Sequence, residues 1–372
     1  MSKITRVWVA LLCLMVVIGV CVACDDPKPT GETTAETTEV TQDKTVADSM
    51  AESEPETEPE TEHETESDVS QWPESSKGLA YVINEDGKTC TVTGIGTCTD
   101  TDIIIGRIGK YPVTAIGDTA FDGNALNSYD PIKSIILSDC VTSIGYGAFG
   151  ACDLISVTLG NGIVSIGESA FYDCRGLTSI VVPEGVTTIA AGTFSGCGSL
   201  STITIPNSVT SIGEGAFDSC ALTSIVISDH VTSIERYAFY CCRSLTDVTI
   251  GNGVTSIGGF AFASCSSLIN VTIGDSVKTI GNAFDGCTSL TSITIPNGVT
   301  TIDNGAFYFC TSLTSVTIPG SVTEIYGDAF GRCTSLTDIY FTGTEDEWNA
   351  IWGIDGAEIP ATATIHYNYI PE

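Results

Sequence analysis

The chain has 372 residues, and its 46 acidic side chains outnumber 14 lysines and arginines, giving a formal charge of −32 at pH 7. A nucleic-acid binder needs a basic surface that displaces counterions from phosphates, so this composition excludes that class of partner. Only three histidines are present, none with a second histidine nearby, which argues against a metal centre or a Ser-His-Asp triad. We therefore expect neither a cofactor nor a catalytic site.

The N-terminus is typical of an exported protein. Lys3 and Arg6 precede an apolar run over residues 7–23, which indicates a secretion signal. The run closes on the letters CVAC, and small residues before a cysteine resemble the lipobox of bacterial lipoproteins, although Cys21 stands where that motif has leucine or a similar aliphatic residue. We predict a signal peptide over 1–23, lipidation of Cys24 and hence a membrane partner. A plainly cleaved signal and an uncleaved anchor helix are the alternatives.

Residues 24–78 form a segment of different composition, with stretches such as ETTAETTEVTQ and ESEPETEPETEHETESD. Its 17 acidic residues face only three lysines. Too little apolar surface is available to offset the cost of ordering the backbone, and like charges extend the chain. This composition predicts a disordered stalk, whose threonines either carry sugars or act as soluble filler.

A phenylalanine then recurs every 22 or 23 residues, after one opening step of 28. A fixed period in the twenties is typical of a solenoid, whose units bury their apolar faces only by stacking. The ten residues are Phe121, Phe149, Phe171, Phe194, Phe217, Phe239, Phe262, Phe284, Phe307 and Phe330. We therefore predict a repeat solenoid.

The unit over residues 200–222, LSTITIPNSVTSIGEGAFDSCAL, shows the local pattern. Alternating apolar residues predict a short strand that ends at Pro206, because proline cannot donate to a sheet ladder. A second apolar pair follows, then a glycine-rich turn, then Phe217 with Cys220 three residues on, a spacing that suits one helical turn. Three units lack one residue, after Cys152, after Cys220 and before Phe284, and we place these losses in turns, which tolerate deletion.

The repeated letters, for example LTSITIPNGVTTIDNGAFYFCTS, resemble the BspA-type leucine-rich repeats of bacterial and some protist surface proteins. The resemblance covers about residues 79–372. It implies a leucine-rich repeat fold of short parallel strands and turn or 3-10 segments, with an N-terminal cap over 79–120, repeats over 121–338 and a C-terminal cap over 339–372. It also implies a surface binding or adhesion role, with no catalytic residues to carry over.

Nine of the 16 cysteines follow a core phenylalanine by three residues: Cys152, Cys174, Cys197, Cys220, Cys242, Cys265, Cys287, Cys310 and Cys333. We predict that they stack as a buried column of small apolar side chains. Parallel side chains fit the torsion of a disulfide badly, and no Cys-x-x-Cys pair over residues 79–372 starts a zinc site. Cys90 and Cys98 are the best candidates for a disulfide in an oxidising compartment.

The solvent side of the predicted strands is rich in hydroxyl groups. It either binds a ligand by hydrogen bonds or simply carries good residues for a wet strand. The candidate ligand face consists of Asp247, Thr249, Asn270, Thr272, Thr294, Thr317, Asp338 and Tyr340. A second candidate surface is the aromatic set on the turns, Tyr172, Tyr237, Tyr240 and Tyr308 with Phe309 and Tyr326, because exposed tyrosines often anchor interfaces.

Taken together, the sequence predicts an exported, lipid-anchored module on the bacterial surface that binds a host or neighbour protein or a glycan. One alternative is a polysaccharide-processing enzyme of the parallel β-helix type. Its carboxylates would have to cluster, whereas Asp247 and Asp338 lie four units apart, or roughly 20 Å at the usual strand spacing. The other alternative is a passive surface spacer.

Overall fold

The computed structural model describes residues 69–123 and 132–371. The signal peptide, Cys24 and most of the predicted stalk lie outside these residues. Within them the chain forms a parallel β-solenoid with little helix, which confirms the predicted fold class. In this part of the chain, no helix has the length and apolar character needed to cross a membrane.

One side of the solenoid is a row of twelve strands, called here the long-strand row. Its strands are Asp102–Ile105, Ser134–Leu137, Ser156–Thr158, Ser179–Val181, Thr202–Thr204, Ser224–Ile227, Asp247–Ile250, Asn270–Thr272, Ser292–Thr294, Ser315–Ile318, Asp338–Phe341 and Thr364–His366. Every hydrogen-bonded pair within the row is parallel and in register, so that Ile225, Val248 and Val271 follow one another on the inner side. Successive side chains of a strand point to opposite sides of the sheet. The apolar side chains of the stacked strands therefore form columns that face inward, and the residues between them face solvent.

A second side is a row of two-residue strands preceded by one longer strand, called the short-strand row. It comprises Tyr111–Ile116, Ser143–Ile144, Ser165–Ile166, Thr188–Ile189, Ser211–Ile212, Ser233–Ile234, Ser256–Ile257, Thr279–Ile280, Thr301–Ile302 and Glu324–Ile325. The third side consists of turns that carry the Ala-Phe-x-x-Cys motif, with one 3-10 helix at Asn282–Phe284.

The ten periodic phenylalanines occupy the centre of the stack and are fully buried. Neighbouring rings are nearly parallel, with centroids 5.0 to 5.8 Å apart. Burial of each ring contributes roughly 1.5 to 3 kcal/mol before entropy, and ring stacking adds to that. The repeated phenylalanine is therefore the axis of the core, as the period indicates.

The cysteine column is buried as predicted, and its thiols also make hydrogen bonds. Each of the nine donates to the backbone carbonyl of the phenylalanine in the preceding unit, with Sγ···O distances from 2.7 to 3.3 Å. Burial raises the pKa of these thiols, to about 12 for Cys152, Cys197 and Cys333. The column therefore supplies hydrogen-bond donors as well as bulk.

The two cysteines proposed for a disulfide, Cys90 and Cys98, are free and buried in the structure. Cys90 lies in the second strand of an antiparallel hairpin, Ala80–Ile83 with Cys90–Gly94. Burial raises its pKa to about 11. The hairpin extends the short-strand row, because Cys90–Gly94 pairs in parallel with Tyr111–Ile116.

Irregular segments cover both ends of the stack. At the N-terminal end a 3-10 helix, Val69–Gln71, leads into residues 73–76, which bond to the open edge of the first long strand and to Arg107–Ile108. The folded part thus begins before the boundary that composition placed at residue 78. At the C-terminal end, helix Glu345–Asn349 and 3-10 helix Ile354–Gly356 precede the twelfth strand. Such covering is what an open solenoid end requires.

Candidate functional site

The outer side of the long-strand row, called the sheet face, carries two columns of outward side chains. The predicted residues Asp247 and Asn270 belong to the first column, as does Asp338; Thr249, Thr272, Thr294, Thr317 and Tyr340 belong to the second. Most are exposed, whereas Thr317, Asp338 and Tyr340 are half-buried. The structure thus places all eight on one surface.

The face is less uniform than its sequence indicates. The second column carries exposed aliphatic residues in the N-terminal half: Ile104, Ile136, Val181 and Val226. In this column, polar side chains are continuous only from Thr249 onward, whereas the first column is polar along its whole length.

Asp247 is bonded to its neighbours on the face. It accepts hydrogen bonds from Thr246 Oγ1 at 2.6 Å and from Asn270 Nδ2 at 2.7 Å. These bonds favour the ionised form and lower the pKa of Asp247. Both carboxylate oxygens are thus already engaged, which suits a fixed negative group rather than an acid that exchanges protons.

Asp338 and Tyr340, expected to face solvent, are partly covered by the last strand. His366 Nε2 lies 2.7 Å from Asp338 Oδ1, and the His366 ring stacks on Tyr340 with centroids 4.8 Å apart. The ring of Tyr369 contacts Tyr340 from a tilted angle. The hydrogen bond with His366, followed by that from Thr337, lowers the pKa of Asp338. In the sequence, the alternation of polar and apolar residues over Thr364–His366 is the pattern that indicates this twelfth strand.

A cleft of about 550 Å³ opens in the sheet face between strands Asn270–Thr272 and Ser292–Thr294. Its lining comprises Ile269, Asn270, Val271, Thr272, Ile273, Asp275, Ser292, Ile293, Thr294, Ile295, Pro296, Asn297, Thr317, Pro319, Thr342 and Pro371. Both outward and inward residues of the two strands contribute. The lining also includes residues of the next two units and of the C-terminal tail, and we call this opening the inter-unit cleft.

The cleft coincides with an interruption of the hydrogen-bonded ladder. The long-strand row divides into four bonded groups, and strands Asn270–Thr272 and Ser292–Thr294 belong to different groups. The chain between them contains the shortened turn, where Asn282–Phe284 forms a 3-10 helix. The interruption and the shortened turn thus fall within the same unit.

Half of the predicted ligand residues meet in this cleft: Asn270, Thr272, Thr294 and Thr317 line it, whereas Asp247, Thr249, Asp338 and Tyr340 do not. The repeat pattern also places Ser292 on the solvent side of its strand, one unit after Asn270, and Pro296 and Pro319 at strand ends. Sequence reasoning did not single out Asn297 or Thr342. No local pattern marks Pro371, because it belongs to the C-terminal tail.

The aromatic set does not form one patch. Tyr237 and Tyr240 meet edge to face, and Tyr237 stacks on Phe260 of the next unit. The guanidinium of Arg236 lies over the Tyr237 ring, 4.9 Å from its centroid. Tyr308 instead contacts Phe309 and a different arginine. Tyr172 is exposed on its own. The predicted aromatic set thus divides into two separate pairs, Tyr237 with Tyr240 and Tyr308 with Phe309.

Over residues 69–123 and 132–371, no three His, Cys, Asp or Glu side chains are grouped to hold a metal ion. The geometry instead provides a stacked face of outward side chains and a cleft lined mainly by hydroxyl, amide and apolar groups, with Pro371 of the C-terminal tail in its lining. Such a surface recognises shape and hydrogen-bonding groups.

The stacked strands and turns define a solenoid of the leucine-rich repeat class. The chain belongs to the BspA-type leucine-rich repeat family, whose model matches residues 114–246 and 232–349 with 6 copies. No curated protein matches the chain.

Solved structures of bacterial repeat proteins are similar to the chain. A leucine-rich cell surface protein from Faecalibacterium prausnitzii A2-165 is 30% identical over 75% of this chain and 97% of its own, with a TM-score of 0.35. A leucine-rich repeat protein from T. pallidum is 28% identical over 52% and 89%, with a TM-score of 0.46. One from Bacteroides ovatus is 23% identical over 78% and 98%, with a TM-score of 0.42. All three scores lie below 0.5, so family membership rests on the repeats themselves.

Proposed function

We propose that the protein is a lipid-anchored binding module of the bacterial surface whose sheet face recognises a host or neighbour protein or a glycan. The apolar N-terminal run, Cys24 and the acidic stalk support export and tethering. The similar protein from Faecalibacterium prausnitzii is described as a cell surface protein. An extended acidic stalk holds the attached domain at a distance from the membrane, where a large ligand reaches it.

The inter-unit cleft is the observation that carries the proposal. It gathers four of the eight predicted ligand residues on a rigid scaffold of parallel strands. The carboxylates that an enzyme would use, Asp247 and Asp338, are each bonded to neighbouring side chains and lie in separate units. This arrangement favours recognition over bond cleavage.

The test is binding of the purified chain to immobilised extracellular-matrix proteins and surface glycans. We expect at least one partner, and we expect Thr272→Arg to weaken binding at least tenfold because the side chain enters the cleft. Thr188→Arg is the matched control, since Thr188 is an exposed threonine on the short-strand row. Release of reducing sugar from a glycan would indicate an enzyme instead. Absence of binding to every protein and glycan tested would indicate a passive spacer.

The anchor is tested separately, because Cys24 lies outside the described residues. Cells that express the native chain should incorporate labelled palmitate into it, and cells that express Cys24→Ala should not. Equal labelling of the two chains would contradict lipidation at Cys24 without bearing on the sheet face.

A further inference from the structure

We infer that the inter-unit cleft binds a short, neutral oligosaccharide. The inference rests on the proposed function and specifies its ligand. It depends on the hydrogen-bonding groups in the cleft, on their charge, and on the spacing of the two units that form it.

The polar groups of the cleft match those of a sugar. Its lining contains five hydroxyl side chains and two amides: Thr272, Ser292, Thr294, Thr317, Thr342, Asn270 and Asn297. A hydroxyl both donates and accepts, as sugar hydroxyls do. In the described part of the chain, the side chains of Thr272, Ser292 and Thr294 make no hydrogen bond to protein. Their capacity is therefore open to a ligand.

The charge of the cleft selects against acidic ligands. Asp275 is the one ionisable residue among those that line it, and the lining has no lysine or arginine. The chain as a whole carries −32, so a sulfated, phosphorylated or uronic-acid chain would be repelled on approach. Neutral sugars meet no such barrier.

The apolar part of the lining complements the carbon-bound hydrogens of a sugar ring. Ile273 and Ile295 are buried residues of the lining, which also includes Pro296, Pro319 and Pro371. A volume of about 550 Å³ lies within the range of roughly 300 to 1,000 Å³ that small-molecule sites occupy. The space suits a few sugar residues rather than a long polymer.

An extended peptide is the competing ligand, because the two strands are not bonded to each other. A peptide that paired with both would have to separate them to about 9.6 Å, twice the usual strand spacing. The core rings of the same two units, Phe284 and Phe307, lie 5.8 Å apart. The units are therefore too close for an inserted strand, and recognition falls to the side chains.

The test is isothermal titration of the purified chain with three neutral tetrasaccharides, cellotetraose, maltotetraose and chitotetraose. A heparin tetrasaccharide and tetra-alanine serve as the anionic and peptide probes. We expect at least one neutral sugar to bind and the other two classes to show no heat of binding. Absence of binding by all three neutral sugars, or binding of the anionic or peptide probe alone, overturns the inference.

Variants then locate the site. Thr294→Trp fills the cleft, and Thr294→Val removes only the hydroxyl; we expect losses of at least tenfold and at least threefold. Thr204→Trp is the matched control, because Thr204 is an exposed threonine at the same strand position outside the cleft, and it should change affinity less than twofold. Equal losses for Thr294→Trp and Thr204→Trp would place the sugar elsewhere and overturn the assignment. A chain that binds a matrix protein but no sugar overturns this inference alone, whereas a chain that binds neither overturns the proposed function as well.

Discussion

Replacement of a single column cysteine should reveal the energetic role of the thiol ladder. Cys242 is fully buried, and its Sγ donates to the carbonyl of Phe217 at 3.1 Å. Cys241, the next residue, is half-exposed and lies outside the ladder. The two positions thus offer the same chemical change, Cys→Ala, once inside the core and once at its surface.

The expected magnitude for Cys242→Ala follows from two losses. Removal of one buried sulfur costs about 0.8 kcal/mol in transfer free energy and leaves a small cavity that adds to it. Loss of the S–H···O bond costs about 0.5 kcal/mol, because the Phe217 carbonyl keeps its bond from the Cys220 amide. We expect the free energy of unfolding to fall by about 1 to 2 kcal/mol.

Urea denaturation in the presence of reductant, followed by circular dichroism, measures this difference. Cys241→Ala should stay within about 0.5 kcal/mol of the native chain, as surface substitutions usually do. Cys242→Val, which restores bulk but has no donor, should lie between the two. If Cys242→Ala were no more destabilising than Cys241→Ala, the ladder would contribute nothing and the column would be simple packing.

Two further substitutions test the turns and the C-terminal cap. Gly298→Ala should cost about 1 to 3 kcal/mol, because an added Cβ would lie 1.6 Å from a backbone oxygen of the preceding unit. Gly281→Ala, where nothing lies within 4 Å, is its control in the same denaturation assay, and equal effects would refute the clash. Hydrogen bonds hold the pKa of Asp338 below its ordinary 3.8, so its contribution to stability is complete above that pH and is lost as the pH falls through the lowered value. Asp338→Asn should reduce the fall in melting temperature at low pH. If the melting temperature of this variant fell with pH as that of the native chain does, the contact with His366 would contribute nothing to stability.

The fold follows from the sequence because the repeat determines two things: the length of each stacked unit and the side of each strand that is buried. A phenylalanine every 22 or 23 residues leaves stacking as the one way to bury all ten rings. Alternation around residues such as Ile225 and Val248 then sets which side of each strand faces inward. The second role of the cysteines was not accessible in the same way, since a thiol donor and a small apolar group occupy a core position equally well.

The site follows from the sequence only in part. Outward positions such as Thr272 and Thr294 are determined by period 2, and their presence on one face is therefore predictable. Their meeting in a cleft is not, because it depends on a gap between two units. Asp338 shows the same limit: its neighbour His366 arrives from the cap, where the repeat pattern has ended.

Identical units by themselves make a uniform surface, so selectivity must arise where the repeat fails. Two of the three shortened units illustrate this. The inter-unit cleft borders the shortened turn before Phe284, and a smaller cavity of about 330 Å³ is lined by Ser219, Cys220 and Ala221 at another. A deletion in a turn leaves the buried columns intact, because the stacked rings stay within 5.8 Å of one another on either side. Loss of one residue thus accompanies a concave site in two units while the core stays stacked. A glycine inserted after Gly281 tests whether the deletion shapes the cleft: we expect it to close the cleft and abolish sugar binding while the unfolding midpoint is retained.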